Sequence, residues 1–424
     1  MEQNSPTYKK YIQILKEELI PAMGCTEPIS IAYGASYVRD LLEDQPDRLE
    51  IEVSGNLIKN AKSVVVPNTN GMCGIAAAAV AGVIAGVTEK KLEVISQVSK
   101  EQKKRIKEYL QTKTVHVSLK NTPLTFDYQI TAWKGNHSAV VRIANFHTNV
   151  VYAAHDKKVF IDRPIKNNAK SGLTDRSVLN VRDILDFANT ADLSDLADCL
   201  DQQIEYNSAI SAEGLSGNYG AGIGKLLLSR NDASLDIRAR AAAAAGSDAR
   251  MNGCEMPVVI VSGSGNQGIT ASVPVIQYAL AQSASKEQLL RALAVADLIT
   301  IHQKTSIGRL SAFCGAVSAG AGTAAGICYL NGGDYALVSD TIINTLAVSS
   351  GIVCDGAKSS CAAKIALAVE AGLTGYQMAL NHRRFPAGDG MVASDLETTI
   401  QNIGNLAHDG MKETDREILH IMTH

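Results

Sequence analysis

The sequence predicts an α+β protein, with a mostly helical domain preceded by a smaller α+β domain near the N-terminus. Three observations predict it. Strand-like alternation is confined to about residues 49–162. After about residue 175 it nearly disappears, and helices joined by glycine-bearing loops fill the rest. Two stretches, IAAAAVAGVIAGV (75–87) and RAAAAAG (240–246), consist of small residues, which suits closely packed core helices.

Each element follows from its pattern. Residues 7–19 read as an amphipathic helix that breaks at Pro21. GCTEP follows at 24–28, then a second helix over about 29–42 that ends at the polar EDQPD. Residues 49–67 turn to strands, LEIEVSG and then KSVVVP. A small-residue helix (72–87) and a charged helix (89–111) come next. The alternating runs VHVSLK, FDYQITAW, AVVRIAN, VVYAAHD and KKVFID predict five further strands. The expected division is 1–45 as N-terminal helices packed on the helical domain, 46–174 as the α+β domain and 175–424 as the helical domain. A chain of 424 residues is long enough for this and for a sizeable core.

Composition excludes several functions. The net charge is −3 with both signs dispersed, so no concentrated positive field marks a nucleic-acid or membrane partner. The basic run KEQKKRIKEY (100–109) is interrupted by Glu101 and Glu108 and reads as a solvated helix face. The N-terminus lacks a signal-peptide pattern and no apolar run spans a bilayer, so a cytoplasmic location is expected. A homodimer is the expectation from base rates alone.

PVVIVSGSGNQGIT (257–270) places Gly263, Gly265 and Gly268 in the G-x-G-x-x-G spacing of a dinucleotide loop. The context opposes that use. Pro274 falls within the first turns of the helix that should follow, and no second strand ending in an acid appears. GNYGAGIGK (217–225) imitates a P-loop, but Tyr219 replaces a required glycine and Leu226 the hydroxyl residue. What survives at Ser262, Gly263, Ser264, Gly265, Asn266 and Gln267 is a loop whose N–H groups converge, a cradle for a carboxylate. The alternative is a tight polar turn without a ligand.

Eight cysteines in such a chain are not a disulfide framework. Cys199 and Cys328, in apolar helical contexts, suit core packing. Cys314 in RLSAFCGAVSAGAG, and Cys354 and Cys361 in GIVCDGAKSSCAAK, sit in loop-like surroundings. Their spacing is too wide for a zinc knuckle and compatible with iron–sulfur ligation. Buried structural cysteines remain the alternative.

GCTEPISIAYGAS, SGNLIKNA, MNGCEMPVVIVSGSGNQGI, IGRLSAFCGAVSAGAG and GIVCDGAKSSCAAKIA together resemble the L-cysteine desulfidase family, which is related to the alpha part of iron–sulfur L-serine dehydratases. The resemblance spans essentially the whole chain. It implies that residues 175–424 form the catalytic domain of a lyase carrying a [4Fe–4S] cluster and independent of pyridoxal phosphate. Such an enzyme converts a β-substituted amino acid to pyruvate and ammonia. It implies Cys314, Cys354 and Cys361 as cluster ligands, although the last gap is shorter than in the dehydratases. The S-S-H-T motif of the dehydratase beta part is absent, which argues against assuming serine as substrate. The terminal cysteine of some dehydratases is absent too, leaving Cys25 in GCTEP as an exchangeable ligand or acid/base.

In the mechanism these parts imply, the carboxylate docks on the glycine loop and a base removes the α-proton. Lys304 in HQKTSIGRLS reads either as that base or as a surface lysine. Lys59, flanked by Asn56 and Asn60, either orients substrate or is a loop lysine. His147 in NFHTN either reaches a cleft or is structural. Glu27 reads as a helix-start residue, Asp355 as a neighbour of the metal or a turn former, and Cys254 as structural. The competing functions are a lyase of L-cysteine, an L-serine dehydratase, a non-catalytic iron–sulfur or redox-sensing protein, and an amino-acid-binding protein free of metal.

Overall fold

The computed structural model of the protein describes residues 1–165, 173–229 and 233–423. It is α+β and mostly helical. Strands β1 (Pro21–Met23) and β8 (Pro257–Val259) form an antiparallel pair. Strands β2 (Arg48–Val53), β3 (Thr114–Leu119), β4 (Asp127–Lys134), β5 (His137–Ala144), β6 (Val150–His155) and β7 (Lys158–Asp162) form one sheet in the order β3-β2-β4-β5-β6-β7. Only β2 and β3 are parallel.

Alternation decides which face is covered. Leu49, Ile51 and Val53 of β2, Tyr128, Ile130 and Ala132 of β4, and Ala139, Val141 and Ile143 of β5 are all buried, as expected of a sheet with one wet face. The helix Thr26–Leu42 packs against β4 and β5 on one side and the alanine-rich helix Gly74–Ala85 on the other, so nearly its whole first half is buried. Asp127, fully buried at the start of β4, accepts from Arg142 of β5 at 2.9 and 2.7 Å. That bidentate geometry satisfies the carboxylate.

The helical region is built around Gly315–Leu330, buried continuously from Ala316 to Cys328. It is enclosed by the helices Gly265–Ala281, Lys286–Ile307, Tyr335–Ser349 and Cys361–Leu380. Its sequence GAVSAGAGTAAGIC permits that many close neighbours because small side chains let helix axes approach. A Leu at Ala321 would overpack this core, at about 1–3 kcal/mol.

Four expectations are corrected. The N-terminal helices do not act together: Pro6–Glu18 packs on the helical region, whereas Thr26–Leu42 packs on the sheet. KSVVVP is not a strand; Val64 and Val66 are buried, but the segment makes only an isolated bridge, Val65 to Cys73, and SGNLIKNA before it holds the helix Gly55–Ala61. The charged helix is two elements. A 3₁₀ turn over Thr88–Glu93 contains Lys91 in a left-handed conformation, and a new helix starts at Lys100. Ser99 and Gln102 form a capping box there, a start signal readable in the sequence.

Finally, Pro274 does not end its helix, which runs unbroken over Gly265–Ala281. The carbonyl that proline leaves without its i+4 donor, that of Thr270, accepts instead from the Thr323 hydroxyl. A dinucleotide unit is still the wrong description, because β8 pairs antiparallel with β1 rather than entering a parallel βαβ crossover.

Candidate functional site

Cys314, Cys354 and Cys361 are brought together by two devices. Residues 312–314 and 352–354 pair as a short antiparallel bridge, with Cys314 N–H donating to the Ile352 carbonyl (3.0 Å) and Cys354 N–H to the Ala312 carbonyl (2.6 Å). Phe313 opposes Val353, so strand alternation points Cys314 and Cys354 to one face. Cys361 then enters as the first residue of Cys361–Leu380. All three line a cavity of about 100 Å³ together with Cys25, whose cluster with Val64 and Met251 packs against Cys361.

Four helix N-termini converge on this cavity. Cys25 caps Thr26–Leu42, Ser264 caps Gly265–Ala281, Cys314 caps Gly315–Leu330, and Cys361 opens the fourth. Their dipoles place partial positive charge where thiolates and carboxylates are favoured. Arg250, Lys304, Arg309 and Lys364 also line it, against a single carboxylate among the described residues, Glu27. Burial nevertheless pushes the Cys314 thiol up to about 12, with Cys354 adding to the shift, and raises Cys361 and Cys25 as well; at Cys25 the Glu27 carboxylate contributes second. Thiols crowded at low dielectric resist ionisation unless a cation joins them.

The glycine loop is a two-residue reverse turn. Val261 and Ser264 exchange backbone hydrogen bonds at 3.1 Å, and Ser262 (φ 49°) and Gly263 (φ 82°) both lie in the left-handed region, as a type I′ turn requires. A Cβ at Gly263 would stand 2.9 Å from Arg309 Nη1 and 3.1 Å from His147 Cε1, so glycine is what lets these side chains reach the turn. The Ser264 hydroxyl accepts from Gln267 N–H at 3.5 Å, and Gly268 N–H begins the helical ladder, which leaves the N–H groups of Gly265 and Asn266 without intrahelical partners. At Gly315 a Cβ would meet the Gln267 carboxamide at 2.6 Å; its absence seats Gln267 against the Cys314 segment.

The remaining candidates divide. Lys304 is buried, not on the surface, and lines both this cavity and an adjoining one of about 610 Å³. Burial lowers its pKa to about 8, against the opposing pull of Cys354 and Cys314. Lys59 and Asn56 do not line the small cavity. The buried Lys59 ammonium pairs with Asp415 and donates to the Cys354 carbonyl at 3.3 Å; Asn56, with its amide nitrogen toward Asp415, donates to the same carboxylate at 3.2 Å. These residues hold the cysteine loop from behind. Asp355 pairs with Lys358 and Lys364, which bring it down to about 2 against the effect of burial. Cys254 is buried outside the cavity lining.

Arg250 and Arg309, passed over in the sequence, complete the site together with His147. Arg250 donates to Asn266 at 3.1 Å, and its Nε has no partner. Arg309 donates to Glu18 at 2.8 and 2.9 Å and stacks over Phe146. His147 lies edge-on to Phe126, buried, and burial brings its pKa to about 4, so the ring is neutral. Nothing in the local sequence marked Arg250 or Arg309, because each reaches the cavity only through the packing of helix ends. Among the described residues Asn60 Oδ1, His147 Nε2, Arg250 Nε and Gln267 Oε1, all from side chains lining this cavity, are buried without a hydrogen-bond partner. That concentration marks a place built for a polar guest.

The donor set fits an iron–sulfur cluster: thiolates alone, with no carboxylate among the three, in a positively polarised site. A second group of metal-type ligands, His137, His155 and Asp156, lies at the far ends of β5 and β6 and is partly exposed.

Residues 89–420 match the family described as serine dehydratase alpha chain. The chain is 52% identical to a UPF0597 protein of Desulfitobacterium hafniense, covering 100% of this chain and 98% of that one. It is 46% identical to a UPF0597 protein of Treponema denticola over 100% and 99% of the two chains, and 48% identical to one of Lachnoclostridium phytofermentans over 98% and 99%. The chain belongs to the serine dehydratase alpha chain family, among its UPF0597 relatives.

Proposed function

We propose that this chain is an iron–sulfur-dependent lyase that degrades L-cysteine to pyruvate, ammonia and sulfide by β-elimination. The coarser statement, a serine-dehydratase-like protein, rests on the family match. The observation that carries the finer one is the meeting of three cysteines, four helix N-termini and a set of unpartnered polar side chains in one small cavity. A [4Fe–4S] cluster held by Cys314, Cys354 and Cys361 would supply a Lewis-acidic iron for the leaving atom.

The chain's own residues then have these roles. Arg250, Arg309 and the first N–H groups of Gly265–Ala281 hold the substrate carboxylate. Lys304 Nζ, buried between the two cavities, takes the α-proton. Lys59 and Asn56 fix the Cys354 loop through Asp415. Cys25, hydrogen-bonded to Glu27 at 3.0 Å, lines the same cavity as Cys361 as a neutral thiol able to exchange a proton with the departing sulfur. The product aminoacrylate hydrolyses without further catalysis.

Cysteine is preferred over serine because Ala316, Ala357 and Ile365 are among the residues lining the cavity, an apolar surface that suits a thiol better than a hydroxyl in need of hydrogen bonds. The matched family's description keeps L-serine as the second reading. Parallel anaerobic pyruvate assays after iron and sulfide reconstitution decide between them. A kcat/KM for L-cysteine at least about tenfold above that for L-serine is expected. The reverse ratio makes the protein a serine dehydratase, and no pyruvate from either removes the lyase reading.

A further inference from the structure

The sign of the unpartnered atoms says what the guest must carry. Asn60 donates from Nδ2 to Glu27 Oε1 at 3.1 Å. Because a carboxylate only accepts, this bond fixes the amide's orientation and leaves Oδ1 as the unpartnered atom, an acceptor in need of a donor. Glu27 Oε2 takes the Cys25 thiol at 3.0 Å and the Thr26 hydroxyl at 3.1 Å. Thr26 has one hydroxyl proton, shared between this carboxylate and the Gly263 carbonyl at 2.9 Å, which ties the acidic corner to the glycine turn. Among the described residues, Glu27 is the single carboxylate in a lining that holds Arg250, Lys304, Arg309 and Lys364. Glu27, Asn60 and Arg250 are each more than nine-tenths buried. On the cationic side the unpartnered atom is Arg250 Nε, a donor in need of an acceptor.

We propose that Glu27 and Asn60 form an α-ammonium subsite, which makes the cavity specific for zwitterionic α-amino acids over the matching hydroxy acids and simple carboxylates. This rests on the reading of the cavity as the substrate site. An ammonium group carries three donors and no acceptor, so it can satisfy Asn60 Oδ1 and the Glu27 carboxylate together. The carboxylate of the same molecule meets Arg250. A hydroxyl in place of the ammonium brings one donor and no charge, and leaves the buried carboxylate and the amide oxygen in competition for it.

The subsite is tested by calorimetric titration of the full-length chain, with and without reconstituted iron, using L-alanine and L-lactate. L-Alanine has no β leaving group, so binding is read without turnover. Wild type should bind L-alanine at least about 30-fold more tightly than L-lactate. In Glu27→Gln the discrimination should fall to within about threefold, through loss of L-alanine affinity with L-lactate unchanged. Asn60→Leu, which removes the acceptor and leaves the charge, should weaken L-alanine by about three- to tenfold and spare L-lactate; it carries the test if Glu27→Gln does not fold. Equal binding of the two ligands by wild type, no binding of L-alanine, or a parallel loss of both ligands in the variants would overturn the subsite. Intact discrimination without pyruvate formation from any amino acid would instead sink the lyase reading and leave the subsite standing.

Discussion

The helix Gly315–Leu330 carries a cysteine at each end, and the two ends differ in kind. Cys314, at the N-terminal cap, shares its cavity with Cys354, Cys361 and Cys25 and with the ammonium group of Lys364. Cys328, near the other end, is fully buried among the core helices, with Thr341 as its polar neighbour. Burial raises both thiols to about 12, so thiol acidity does not separate them. What separates them is company: further sulfurs, helix N-termini and cations around the first, and apolar packing around the second. A cysteine's role is written in its neighbours more than in its own titration.

The sharpest way to break this comparison is to remove one cysteine from each end. Cys314→Ala, with its partner sulfurs left in place, should lower pyruvate formation by more than about 10³-fold and reduce bound iron. Cys328→Ala should leave turnover and iron content unchanged and cost about 1–2 kcal/mol in chemical denaturation. Equal activity loss in the two variants would erase the distinction. A smaller effect is expected at the cationic wall. Arg250→Gln should raise KM about 10- to 100-fold with cluster absorbance retained, as removal of a carboxylate anchor does; unchanged KM would take Arg250 out of the substrate site.

The smallest effect belongs to the core. Asp297 is fully buried in Lys286–Ile307, accepts from Gln203 at 3.1 Å, and burial pushes its pKa up to about 7. A carboxyl raised above its unfolded value stabilises the fold fully below about pH 4 and loses that contribution as pH rises through about 7. Asp297→Asn should therefore match wild type near pH 4 and exceed its stability at pH 8 by on the order of 2–4 kcal/mol. Parallel pH–denaturation curves for the two proteins would show that Asp297 titrates normally.

The same contrast explains what could be read from the chain. Strands β2 to β7 were legible because one wet face forces period-two alternation, and the alanine runs announced close-packed helices. The segment LSAFCG…CDGAKSSC drew attention because cysteine beside glycine and aspartate is a poor core residue. KSVVVP misled because buried valines look alike whether or not a neighbouring strand exists, and Pro274 misled because the Thr323 hydroxyl that relieves its helix lies far away in sequence. Arg250 and Arg309 were not legible at all, and Asn60 only as a flank of Lys59. They sit at or just beyond the ends of three separate helices, and only tertiary packing brings them to Glu27 and the glycine turn. Lys59 was noticed for its flanking asparagines, but its partner, Asp415, lies on the last helix, Lys412–Thr423.

The most direct measurement is bound iron and acid-labile sulfide per chain after anaerobic reconstitution, with the Cys314→Ala, Cys354→Ala and Cys361→Ala triple variant beside wild type. About four irons and four sulfides in wild type, lost in a triple variant that keeps its helical circular dichroism, is the predicted result. A well-folded wild type that takes up no iron would contradict the metal centre and return the three cysteines to packing.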